Sequence, residues 1–230
     1  MTADEDNPVA WVERAIERSA AVQRSRLRIA NQVRQMLDAA VRLIAVKGDE
    51  FTTQELVSEA GVALQTFYRY FRSKDELLLA VIGDSMTDAC ERWSTAAEEL
   101  SDPLARLRFY IASTLQRLAG QSDNTGMSRF VVSTRWRLHR QFPEELAEAE
   151  KPFVDLLRDG VIEAIQAGQL HPSDPAWDAW FLGELVRSVY HHYAFVNHDG
   201  TELNLVEERL WQFSLTALGG RTDHEKGDAQ

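Results

Sequence analysis

Apolar residues recur at three- and four-residue intervals along almost the whole chain, and no stretch alternates apolar with polar at a spacing of two, so the pattern predicts an all-α protein. Ile29, Val33, Met36, Leu37, Ala40, Val41 and Ile44 mark one helix from about Ile29 to Lys47, closed by Gly48. Leu56, Val57 and Ala60 define a short second helix ending at Gly61, and Phe67 and Phe71 define a third. Leu77, Leu78, Val81 and Ile82 open a fourth, and Leu104, Leu107, Ile111, Leu115 and Leu118 mark a fifth after an Asp102-Pro103 start. Residues 120–126 read as a loop before a sixth helix over Met127 to His139. A seventh begins at Phe142-Pro143, with Pro152 expected to kink or restart it before Phe153, Leu157 and Val161 carry it on to Gly168. The eighth opens at Pro175 with two apolar stripes, Trp177, Phe181 and Leu185 on one and Leu182, Val186, Val189 and Tyr190 on the other. In the last, Leu203, Val206, Leu210, Phe213 and Ala217 repeat at 3, 4, 3, 4, flanked by Trp211 and Leu215. These final two helices have the form of a four-helix interface between two copies of the chain; burial within one subunit is the alternative.

Composition changes the picture little and charge changes it considerably. At 230 residues with 44% hydrophobic positions the chain can build a sizeable core. No uncharged apolar run reaches the length of a membrane span, the acidic start MTADEDNPVA is unlike a secretory signal, and the single Cys90 precludes an internal disulfide, so a cytoplasmic protein is expected. The net charge of −11 is unevenly spread: residues 11–74 hold eleven Lys/Arg against seven Asp/Glu, whereas residues 75–230 hold fourteen against twenty-six. Arg18 to Leu37 contains five arginines and no acid, a local field suited to phosphate, although a solvated helix face would read the same way. Arg24, Arg26 and Arg28 alternate in RSRLR; an extended arm would aim them at a groove, and a helix would spread them around its axis.

The chemistry concentrates in Phe51 to Phe71. Thr52 with Glu55 forms a capping box, Gly61 supplies a turn, and a second short helix follows at once, which together make a helix-turn-helix. With Phe67 and Phe71 inward, Leu64, Gln65, Thr66, Tyr68 and Arg69 lie outward, where they can meet a DNA groove. Gln54, Gln65, Thr66 and Arg69 are side chains able to engage base edges, Leu64 suits a thymine methyl, and Thr53, Tyr68 and Lys74 suit phosphates. Thr52-Thr53, Ala60-Gly61-Val62, Thr66-Phe67-Tyr68-Arg69-Tyr70-Phe71 and Ser73-Lys74-Asp75-Glu76-Leu77 resemble, in identity and spacing together, the TetR (tetracycline-repressor-like) family of bacterial transcriptional regulators. Val57, Ala63 and Leu64 depart from its pattern, where Ala, a capping Ser and a polar residue are usual. The resemblance implies DNA contact by Thr53, Gln54, Leu64, Gln65, Thr66, Tyr68, Tyr70 and Lys74.

The resemblance also implies an N-terminal three-helix DNA-binding domain and a C-terminal helical domain for effector binding and dimerisation. The expected division is an N-terminal extension at 1–27, partly disordered with a short helix marked by Val9, Val12 and Ile16; the helix-turn-helix domain at 28–73; the effector and dimerisation domain at 74–220; and a disordered tail at 221–230. The implied function is a repressor that binds a palindromic operator as a homodimer through its last two helices and is released by a small lipophilic or aromatic effector. A ligand-independent regulator or an activator is the alternative. Phe109, Met127, Phe130, Trp136, Phe153, Trp180, Phe181, His191 and Tyr193 are the candidate effector lining, with plain core packing as the competing role for each. No cofactor, metal site or enzyme activity is expected: His191 and His192 are adjacent and diverge by about 100° on a helix, and no nucleophile elbow or phosphate loop is present. Glu144, Glu145 and Glu148 read as a helix N-terminal turn favoured by the dipole.

Overall fold

The computed structural model describes residues 11, 18–119, 124–171, 173–196 and 200–220. The expected loop at 120–123, residues 1–10 and 12–17 of the N-terminal extension with its Val9, Val12 and Ile16 helix, and the tail from Arg221 lie outside the described residues; of the extension at 1–27, Trp11 is described, helical and exposed, and residues 18–27 are described and run into the first helix. Among the described residues there are nine helices and no strand: α1 Ala20–Lys47, α2 Thr53–Ala60, α3 Leu64–Tyr70, α4 Lys74–Ala97, α5 Pro103–Ala119, α6 Asn124–Gln141, α7 Pro143–Gln166, α8 Pro175–Tyr193 and α9 Gly200–Ala217.

The local signals at the head hold in detail. Thr52 Oγ1 accepts from the Glu55 amide at 3.2 Å and Glu55 Oε2 accepts from the Thr52 amide at 2.7 Å, completing the capping box of α2. Gly61 closes α2 in the left-handed region at φ 65°, ψ 30°, and Gly48 ends α1 at φ 61°. At α4, Ser73 Oγ accepts from the Glu76 amide, but the Glu76 carboxylate accepts from the Arg72 amide rather than from that of Ser73, so only half of a capping box forms there. α1 begins nine residues before the expected Ile29. The apolar face does start near there, but Gln, Arg, Leu and Ala upstream are good helix formers, and nothing between Ala20 and Ile29 stops the helix.

Two corrections fall in the body. α6 starts at Asn124, so residues 124–126 are helical rather than loop, and Gly126 lets the helix approach α1 closely: a Cβ there would lie 3.3 Å from the Ala45 backbone. α7 runs through Pro152 without a break. Proline removes its own amide donor and its ring crowds the carbonyl four residues before it, but α7 is packed along its length against α4, α5, α6 and α8, which holds the helix on both sides of that point.

Two apolar clusters organise the chain. The first joins Met36, Ile44, Phe51, Leu56, Phe67 and Phe71 of the head to Leu77, Leu78, Val81 and Ile82 of α4 and to Met127, Phe130 and Leu138 of α6. The second holds Cys90, Leu107, Ile111, Phe153, Leu157, Val161, Leu182, Val186, Leu210 and Trp211. Position 73/74 therefore marks the start of α4, and the head's core continues across it into α4 and α6. Cys90 behaves as a buried small hydrophobe; burial pushes its thiol up to about 11 and keeps it protonated. No described helix is long and apolar enough to cross a membrane.

Ala63, at the N-cap of α3, has the extended backbone of a capping residue (φ −75°, ψ 149°) and no side chain able to accept from the first-turn amides. Ala63→Ser is expected to stabilise the protein by about 1 kcal/mol, read as a rise in denaturation midpoint at unchanged m-value.

Candidate DNA interface and effector cavity

α3 presents the surface expected of a reading head. Phe67 is fully buried and packs on Phe71 at 5.8 Å between ring centroids, which fixes the rotation of α3 and turns Tyr68, 56% exposed, outward with Leu64, Gln65 and Arg69. Gln54 is exposed on α2, while Thr53 and Thr66 are half-buried at the edge of the same surface. Tyr70 has a different setting: its hydroxyl donates to Gln32 Oε1 at 2.8 Å and ties the end of α3 to α1.

Lys74 is committed to the protein itself. Its ammonium donates to the carbonyls of Asp49 and Phe51, the latter at 2.7 Å, and sits 4.6 Å from the centre of the Phe51 ring. Burial holds it below the ordinary lysine value, against the opposing pull of Asp49. In this geometry Lys74 pins the α1–α2 loop to the start of α4, and phosphate contact would compete with that bracing. Arg137 of α6 reinforces the same corner, pairing with Asp49 at 2.9 Å and with Asp75.

The body contains an inner cavity of about 80 Å³ between α4, α5, α6, α7 and α8. Ile82, Met86, Trp93, Val131, Phe153 and Val186 form its apolar wall. Its polar wall is Arg117, Arg135, Glu150, Arg187, Tyr190 and His191, with Ser85 and Thr114. Glu150 receives Arg135 Nε at 2.7 Å and Nη2 at 3.1 Å, and Arg187 Nη2 at 3.1 Å, in a setting where all three side chains are mostly buried. Arg187 also pairs with Glu184. Arg117 makes only a 3.3 Å bond to Ser85 Oγ, so among the described residues it has no carboxylate partner. Burial, then the positive Arg135 and Arg187 beside it, holds His191 below the ordinary imidazole value, and it is neutral at pH 7. Ser85 and Arg117 also line an outer groove between α1 and α4, where Arg34, Arg42 and Arg92 stand with Asp38, Asp84 and Asp88.

Of the nine residues expected around an effector, Phe153 and His191 line this cavity. Phe130 and Met127 belong to the head core, Met127 also touching the outer groove. Phe109 packs beside the body core, and Tyr193 reaches Glu202 on α9. Trp136 is 68% exposed, stacked on His139, while Trp180 and Phe181 lie exposed in an aromatic cluster with Trp177. Aromatic content alone does not tell a cavity from a core or an outer face. The lining that was missed carried a better signal: Ile82, Met86 and Trp93 at spacings of four and seven on α4, and Arg187 interrupting the apolar run of α8.

With this geometry in view, the similarities to known proteins are consistent. Residues 36–81 match the model for bacterial regulatory proteins of the tetR family. Over 141 residues the chain is 27% identical to the fatty acid metabolism regulator protein of Bacillus subtilis, spanning 59% of this chain and 69% of that protein. The structure of the regulator FadR from Bacillus subtilis in complex with stearoyl-CoA shares the fold at TM-score 0.64 and 21% identity, over 79% of this chain and 97% of that one. The fatty acid degradation regulator FadR from Bacillus halodurans does so at TM-score 0.65 and 20% identity, over 83% and 97%. Residues 36–81 thus carry a DNA-binding domain of the tetR-family type, and the protein is a DNA-binding transcriptional regulator.

Two substitutions separate contact from bracing. Lys74→Met leaves the Asp49 and Phe51 carbonyls without their donor and is expected to cost about 1–3 kcal/mol of stability. Tyr68→Ala, on an exposed side chain, is expected to change stability by less than about 0.5 kcal/mol while weakening DNA binding. Denaturant melts and duplex titrations of both variants measure the two effects.

Proposed function

We propose that the protein is a homodimeric repressor released from a palindromic operator by an amphipathic effector with an apolar body and an anionic head, the acyl-coenzyme A thioesters being the class that fits. The observation carrying this reading is the pairing of the inner cavity with the outer groove through Ser85 and Arg117. The cavity offers an apolar wall and three arginines against a single glutamate; in the groove Arg34, Arg42 and Arg92 are balanced by Asp38, Asp84 and Asp88, so the positive excess lies at the cavity and at Arg117. The kinship to a fatty acid metabolism regulator and to a fold solved with stearoyl-CoA supports the same class.

The proposed mechanism follows from space and connection. A cavity of about 80 Å³ is well below the few hundred Å³ of a ligand site, so an occupant must push its walls apart. α4 supplies Ile82, Ser85, Met86 and Trp93 to that wall and begins at Lys74, which braces the head. α6 supplies Val131 and Arg135, and two residues further on Arg137 holds Asp49 and Asp75. Expansion of the cavity thus displaces the two helices that seat the reading head, and an effector that favours the expanded state shifts the population away from DNA. Acyl-coenzyme A titrations over a range of chain lengths are expected to raise the melting temperature as RT ln(1 + [L]/Kd) and to release operator DNA, with coenzyme A alone doing neither. Absence of both responses at every chain length would remove this effector class.

Dimerisation is assigned to α8 and α9. Leu185, Val189, Leu205, Val206, Leu210 and Phe213 line an open apolar groove between them, and Phe181 and Phe213 are 61% and 64% exposed, a large apolar area for a free monomer surface. The chain is expected to sediment at twice its 26.1 kDa mass, and Phe213→Glu to yield a monomer with much weaker operator affinity.

A further inference from the structure

The reading head, the cavity and the α8–α9 face leave the first half of α1 without a role. From Gln23 to Asn31 every residue of this helix is exposed, including Leu27 at 63%, so it projects from the head with little packing of its own. It carries Arg24, Arg26 and Arg28 and no acid, in a chain of net charge −11. No ion pair to a described residue neutralises these three, whereas Arg34 and Arg42 further along are held by Asp84 and Glu59. Their placement on the helix is uneven. Arg24, Arg28 and Gln32 follow at intervals of four and so share one side, and Gln32 is the residue bonded to Tyr70 at the end of α3. Arg26 is turned by about 200° from Arg24, to the opposite side.

We propose that the first half of α1 is a second DNA-binding element, a helical arm whose Arg24 and Arg28 hold backbone phosphates flanking the bases met by α3. The proposal rests on the reading of α3 as the head's DNA-facing helix. Gln32 fixes the arm against that helix, and at 1.5 Å per residue Arg28 stands roughly 6 Å and Arg24 roughly 12 Å along the axis from it. Those spans are comparable with the width of a major groove of about 12 Å, so an arginine row continuous with α3 meets the phosphates bordering the groove. The ligand is the DNA backbone because Arg24 and Arg28 stand on a separate helix beside α3, where a positive charge meets the phosphates bordering the groove rather than its floor. It adds affinity and register, and sequence preference stays with α3.

The test is a salt titration of operator binding by the full chain, comparing wild type, Arg24→Gln/Arg28→Gln and Arg26→Gln, each checked for an unchanged melting temperature. Loss of two phosphate contacts is expected to make the slope of log K against log salt shallower by about 1.8, from 0.9 per contact. The fall in affinity should be the same on operator and on scrambled duplex, and Arg26→Gln should leave the slope at the wild-type value. A double variant with the wild-type slope would overturn the arm while leaving the head's role intact. A slope change of about 0.9 in Arg26→Gln, the same per arginine as in the double variant, would replace the docked face by a general positive field and also overturn it. Binding by wild type that is insensitive to Tyr68→Ala would instead remove the reading of α3 on which the arm depends.

Discussion

Phe130, Met127 and Leu138 of α6 are buried in the same apolar cluster as Met36, Phe67 and Leu77, and this shared core is the constraint on which the remaining geometry depends. A helix-turn-helix of two short helices cannot bury enough apolar surface alone. Here the missing surface comes from α4 and α6, which also belong to the body. Gly126 allows the close approach of α6 to Ala45, and Arg137 and Lys74 then tie the α1–α2 loop to α4 and α6. The head is therefore seated on the body rather than tethered to it. Any rearrangement of α4 or α6 must alter the setting of α3.

The cavity lies where such a rearrangement can begin. Glu150 and its two arginines form a mostly buried charged cluster on one wall. Buried ion pairs of this kind contribute little net stability compared with apolar packing, because desolvation offsets their attraction. Their presence is better explained by polarity: they hold two guanidinium groups in fixed positions beside an apolar wall, and those guanidiniums add to the burial that holds the adjacent His191 below the ordinary imidazole value. Arg117 extends that positive edge toward the groove beneath α1. An apolar body with an anionic end matches both halves of this surface.

The helices, their caps and the head were legible in the sequence because the determining physics is local. Thr52 with Glu55, Gly48, Gly61, Pro175 at the start of α8, and the Phe67–Phe71 pair act within a turn or two of where they stand. The two misreadings in the body share one cause, which is tertiary packing overriding a local signal. Pro152 breaks helices in isolation, yet α7 is held on both sides of it; residues 124–126 read as loop, yet Gly126 is where α6 meets α1.

The sequence by itself determined an all-helical chain, the position and facing of the reading head, the basic segment before it and the apolar stripes of the last helices. Each of these follows from spacing along a single helix. Only the tertiary structure decided that Lys74 points into the protein, that Tyr70 ties α3 to α1, and that α4 and α6 share the head's core. It alone separated Phe153 and His191, which line the cavity, from Phe130 in the core and Trp136 and Phe181 on the outside. A cavity is bounded by side chains from five helices far apart in sequence, and hydrophobic periodicity says which face of each helix turns inward but not which of those faces fails to meet its neighbour.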